Sequence, residues 1–224
     1  MVDPGPLVEP AHYRAILDLA ASMNFRIFAE GAGRGSIEIA LNAFSELDKK
    51  HRIKDRRFVL EHCEFPTVDQ IARCSELGVA PTTSTNFIWG KGAEVYQQRL
   101  GAEYCERAIP MRDWLDGGVP ISQSTDWGPH EPMFTLWQSL ARQAGLTAEI
   151  IGPSQKITRE EAIRAFTNNG AWALCMEDRL GSIEVGKYAD LIVLDDDPLS
   201  CEESAIRDIN IELTMLNGEI VFQN

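Results

Sequence analysis

The sequence has no apolar run near the ~20 residues of a membrane-spanning helix. Its start, Met1-Val-Asp-Pro-Gly-Pro6, lacks the basic and apolar stretches of a secretory leader. Both absences predict a soluble, cytoplasmic protein. Basic residues are in deficit, 21 Lys and Arg against 34 Asp and Glu, for a formal net charge of −13. That balance repels phosphate backbones and anionic bilayers, so neither nucleic acid nor a membrane is an expected partner. Cysteine is sparse and odd in number, five residues without a CxxC pair, which argues against a disulfide framework and a thiolate zinc site. Cys63, Cys74, Cys105, Cys175 and Cys201 are expected to be reduced, most of them as small core residues. Internal repeats and low-complexity tracts are also missing.

What is present is an ordinary globular composition, 44% hydrophobic and 25% charged over 224 residues, enough for one barrel or two small domains. Helical and strand-like segments alternate, which predicts an α/β fold with parallel pairing. Expected helices are 8–23, 36–50, 67–77 with Thr67 as N-cap, one closing at 112–116 before Gly117-Gly118, 159–168 behind the Thr158/Glu161 capping box, and 171–176. Expected strands are 25–29, 57–62, 79–83 (weakened by Pro81) and 119–124. From Gly181 the texture becomes that of a small β unit with a hairpin at Asn217-Gly218, and such a unit needs a larger surface to pack on.

Chemistry in parallel sheets gathers at the carboxyl ends of strands. Three such ends carry reactive side chains: Glu30 with Gly31-Ala-Gly33-Arg34-Gly35, Glu61-His62, and Thr125-Asp126-Trp127. The glycines resemble part of a dinucleotide fingerprint, but Ser36 stands at the third glycine position, so a tight turn is the simpler reading and a nucleotide-binding oxidoreductase the more distant one. His62 is a potential metal ligand or a satisfied core histidine. Asp126 is a metal ligand, a proton shuttle or a turn aspartate. Trp127 and His130 are candidates for the pocket mouth, the alternatives being packing for the tryptophan and an exposed loop for the histidine. His12, His51 and the Asp195-Asp-Asp197 turn receive no chemistry.

Taken together, Arg57-Phe-Val-Leu-Glu-His62, Ile109-Pro-Met-Arg-Asp-Trp-Leu-Asp-Gly-Gly118, Ser124-Thr-Asp-Trp127, Ile157-Thr-Arg-Glu-Glu-Ala162 and Gly181-Ser-Ile-Glu-Val-Gly-Lys-Tyr-Ala-Asp190 resemble the metal-dependent amidohydrolases. The branch is amidohydrolase family 3, with its N-substituted formamide deformylase-like proteins, and the likeness is to the C-terminal half. The resemblance implies strands five to eight of a (β/α)8 TIM-like barrel over 1–180 and a segment of the family's composite sandwich over 181–224. It implies hydrolysis of non-peptide carbon–nitrogen bonds in a small amide-like substrate, by water activated on a divalent metal, usually zinc. His62 then matches a metal-binding histidine, and Asp126 the aspartate that binds metal and moves the proton. Glu30 falls where the family has a third metal ligand, a histidine, and Arg34 where it has an aspartate. The family's His-x-His and its bridging residue have no counterpart here. A half barrel leaves open edges, which predicts a homo-oligomer; the competing reading is a catalytically silent fragment or self-assembling module without metal.

Overall fold

The computed structural model describes residues 8–224; the Met1–Pro6 leader reading lies outside them. Helix α1 (Pro10–Ser22) leads into strand β1 (Phe28–Gly31), helix α2 (Arg34–His51) and strand β2 (Val59–His62). Helix α3 (Val68–Leu77) and strand β3 (Ala80–Thr83) follow. Thr67 caps α3 as expected: its hydroxyl accepts the Gln70 amide while Gln70 Oε1 accepts the Thr67 amide. The chain then runs through α4 (Asn86–Lys91), a π-helical turn (Gly92–Gln97), α5 (Gln98–Leu100), α6 (Ala102–Cys105) and α7 (Met111–Asp116) before strand β4 (Ser122–Gln123).

The four strands are parallel and lie in chain order, β1-β2-β3-β4. A doubly wound sheet reverses its order at a switch point, whereas successive βα units in sequence order are the way a barrel wall is built. The sheet is a partial barrel whose edges, among the described residues, are β1 and β4. Alternate residues send Ala29 and Leu60 into the main core beneath α2, where Ile37, Leu41 and Phe44 are buried and Phe44 meets Phe58 edge-on at 5.4 Å. The opposite face carries only a small cluster of Val59, Ala80 and Ala173 with Trp172. Phe28 and Glu30 of the edge strand stay exposed.

Several boundaries differ from expectation for local reasons. β1 starts three residues late, so Glu30 lies within the strand, in register with Glu61. β4 shrinks to two residues because Val119 donates to Trp114 O and Ile121 to Val119 O, which holds 119–121 at the end of α7. Pro81 is tolerated inside β3 because its nitrogen faces β4 ahead of the first pair, Thr82 with Ser122. The helix expected over 159–168 stops earlier as α9 (Arg159–Phe166), broken at Thr167, and α10 (Asn168–Ala173) starts earlier than expected.

Helix α8 (Pro132–Ala141), not foreseen, opens on a proline at its first turn and buries Met133, Leu136, Trp137 and Leu140. At its end Arg142 is fully buried, donating to the carbonyls of Ile151 (2.8 Å), Ile109 (3.0 Å) and Ala108 (2.5 Å). Burial lowers its pKa, to about 9, and those three acceptors meet the charge.

The tail forms the expected antiparallel sheet, β5 (Leu191–Leu194), β6 (Ile211–Leu216) and β7 (Glu219–Gln223), in that order. Asn217 and Gly218 both take positive φ, as a two-residue hairpin of this twist requires. Ile206, Ile209 and Leu194 join this unit to the main core. Among the described residues no helix is long and apolar enough to cross a membrane.

Candidate active site

The carboxyl ends of β1, β2 and β4 bring the expected residues to one place. His62 ends β2, where it and Cys63 adopt left-handed backbone (φ +73 and +47). Such conformations in side-chain-bearing residues cost on the order of 1–3 kcal/mol each and persist only where the surroundings impose them. Here the imposition comes from β1: Cys63 donates its amide to Gly31 O, and Phe65 donates to Ala32 O. The two loops are thereby zipped together beyond the strand ends. Two residues after His62, the buried Glu64 accepts the Tyr96 hydroxyl at 2.5 Å, and burial together with that carboxylate raises the tyrosine pKa.

Asp126, also left-handed (φ +44), follows β4. Its loop is held from below by residues that sequence reasoning passed over. Asn86, fully buried at the start of α4, donates to the carbonyls of Thr125 (3.1 Å) and Pro129 (2.8 Å) and to Thr135 Oγ1. Ser84 Oγ donates to Thr125 O. The visible signal was the polar run Thr82-Thr-Ser-Thr-Asn86, which starts in the last two residues of β3 and runs on into α4.

The imidazole of His62 stands between two carboxylates. Nε2 is 3.5 Å from Glu30 Oε1, and Nδ1 is 3.6 Å from Asp126 Oδ2. Both distances exceed a good hydrogen bond, so these contacts are electrostatic. Phe87 packs on the His62 ring at 5.5 Å and stacks in turn on Trp127 at 6.3 Å, with the Lys91 ammonium 4.0 Å above Phe87. Trp127 can lie this low because Gly90 is beneath it: a β-carbon there would come within 1.8 Å of the indole. Trp127 thus flanks the site through Phe87. His130 is exposed, with no side-chain hydrogen bond or ion pair among the described residues.

Residues 6–222 match the amidohydrolase family. The chain belongs to that family. It is 29% identical over 207 residues to the N-substituted formamide deformylase of Arthrobacter pascens, covering 91% of this chain and 38% of that one. An uncharacterized metal-dependent hydrolase from Pyrococcus horikoshii superposes with a TM-score of 0.75 at 22% identity, over 90% of this chain and 41% of the other. An adenosine deaminase from Xanthomonas campestris with bound zinc gives 0.65 at 21%, over 95% and 49%. The chain therefore spans from about two fifths to half of the length of these proteins. Likeness at such identities establishes the α/β barrel-type fold.

A metal centre of this family type calls for donors that converge on one point, three or more of them from protein. Glu30 and Asp126 instead sit at opposite nitrogens of one ring, so a cation at either nitrogen meets a single carboxylate. Among the described residues no group of three His, Cys, Asp or Glu is arranged to hold a metal ion. The expected ligand set, Glu30, His62 and Asp126, is gathered around one imidazole and not around one cation, and by itself does not fit the metal.

Proposed function

We propose that this amidohydrolase chain contributes the C-terminal, strand-five-to-eight half of a hydrolase of non-peptide carbon–nitrogen bonds in small amide-like molecules. The observation that carries the reading is the meeting of His62 and Asp126 at the ends of two strands that do not pair with each other. Following the barrel strands by a small antiparallel sheet supports the assignment to that half. A divalent metal such as the zinc of the deaminase neighbour would supply an acidified water only where further donors joined His62 and Asp126 in holding it. Asp126 accepts the proton of the attacking water and returns it to the leaving nitrogen, a service worth ~10²–10⁴ in rate. Trp127 forms the apolar wall for the substrate, and His130 lies on the loop at its mouth. Copies of the chain cover the open edges, and the cytoplasm is the setting.

The divided donor set favours a second reading, a metal-free silent fragment or assembly module. One experiment separates the two: metal analysis of the purified chain together with amine release from an N-substituted formamide. Stoichiometric metal and turnover, both lost in His62→Ala, support the hydrolase. Metal-free protein without turnover, its stability unchanged by added zinc, supports the silent module.

A further inference from the structure

Between the start of α2, the loop that follows β2 and the α5–α6 segment lies a cleft of about 430 Å³. Arg34, Phe65, Leu100, Glu103, Tyr104 and Arg107 are among the residues that line it. Phe65 and Tyr104 give it an aromatic wall, their rings 5.2 Å apart, and the Arg34 guanidinium lies over Tyr104 at 5.6 Å. Arg107 is committed to Asp113, with Nε at 2.9 Å and Nη2 at 2.5 Å from the same carboxylate oxygen. Arg34 has no carboxylate within 4 Å among the described residues, and Glu103 forms no ion pair with either arginine. Among the described residues of a chain of net charge −13, the cleft therefore holds a planar cation without a carboxylate partner beside an apolar wall, with Glu103 elsewhere in its lining. Arginine in that setting pairs with carboxylates through parallel N–H donors.

The cleft shares its loops with the candidate site. Arg34 is four residues beyond Glu30, so their Cα atoms are at most about 14 Å apart, and Phe65 is three beyond His62. We infer that this cleft binds the carboxylate end of the substrate: an acid with an apolar body, its carboxylate on Arg34 and its body against Tyr104 and Phe65, as an N-acylated amino acid presents them. Placing the scissile bond at His62 and Asp126 rests on the hydrolase reading; acid binding in the cleft does not. Arg34 is a specificity residue, distinct from the groups that handle the proton.

The test uses the intact chain, titrated with N-acetylphenylalanine and with its uncharged amide, and followed by NMR at the arginine side-chain Nε–H and backbone amides. The acid should bind about tenfold or more tightly than the amide, shifting Arg34 and residues 101–104. Arg34→Gln, an exposed change whose backbone bond to Gln70 is kept, should remove the preference, and Arg34→Lys should restore part of it. Equal affinities, no saturable binding of the acid, or a preference that survives Arg34→Gln would overturn the proposal. His62→Ala should abolish any turnover and leave the acid preference intact, so failure of the hydrolase reading and failure of this one are told apart.

Discussion

Asp126 Oδ2 stands 3.6 Å from Nδ1 of His62, although β4 and β2, which carry them, are separated by β3. The pair exists because Asn86 and Ser84 hold the Thr125 carbonyl beneath it. Asp126→Asn keeps shape and removes the proton acceptor. It should lower turnover of an N-substituted formamide about 10²–10⁴-fold while circular dichroism stays unchanged. Retention of full activity in that variant would remove Asp126 from the chemistry.

Acid sensitivity should originate partly in surface carboxylates of the barrel segment. Hydrogen bonds from Gln70 and then Arg73 hold Glu38 below the usual range, and the Arg57 guanidinium does the same for Glu177. A depressed folded pKa contributes stability that is complete above the unfolded value of roughly 4.3 and is lost as pH falls through the folded one. Urea midpoints measured across this range should fall below about pH 4. In Glu38→Gln the deficit relative to the parent should be largest near neutrality and shrink on acidification.

Arg142 is the side chain whose loss should be felt most widely. Its three acceptors belong to the segment before α7 and to Ile151, so one guanidinium ties α8 to both. Arg142→Met fills the volume but leaves the buried carbonyls of Ala108 and Ile151 without donors, while Ile109 O keeps the Met111 amide, at roughly 1–3 kcal/mol for each group left unpaired. Urea denaturation should show a loss of about 2 kcal/mol or more. A loss under about 1 kcal/mol would mean that water replaces the donors.

Periodicity and capping made much of the frame readable. Thr67 announces its helix as an N-cap residue and Thr158 by the spacing to Glu161, and Asn217-Gly218 announces the hairpin. His62 and Asp126 were legible as strand-end residues. Illegible were the segments where tertiary contacts override local preference: α4 and its π-helical turn, interrupted by Gly90 and Gly92, and α8, which is buried nearly all round, with polar Thr135, Gln138 and Ser139 among its buried residues, and so shows no clean amphipathic stripe. Asn86 gave no local sign beyond its place in a polar run, because its importance lies in three acceptors between 39 and 49 residues away in the chain. The splitting of Glu30 and Asp126 onto opposite ring nitrogens depends on side-chain directions that spacing does not encode.

The thiols should sort by burial. Cys63, Cys74 and Cys105 are buried, and desolvation raises their pKa values, for Cys74 to about 12. Thiolate is the reactive form, so these three should be silent to a disulfide reagent in the native protein. Cys175 is exposed and Cys201 half-buried. Reagent titration should therefore find Cys175 reacting first, Cys201 more slowly, and the other three only after denaturation. Rapid native reaction at Cys63 would show that the β1–β2 loop zipper opens.

The free strand edges lead to the last prediction. Among the described residues β1 has no partner beyond β2, and Phe28 on it is about half exposed, as are Ile220, Val221 and Phe222 along β7. An unpaired edge presents a row of free N–H and C=O groups, and apolar side chains beside it add a driving force for pairing with another strand. Light scattering after size exclusion should report a mass above that of one chain, rising with concentration. Phe28→Lys with Val221→Lys puts a charge on each edge, the device by which natural edge strands resist pairing, and should return the protein to a monomer. A monodisperse monomer of the unmodified chain at micromolar concentration would show that these edges are already satisfied and that self-assembly plays no part in completing the barrel.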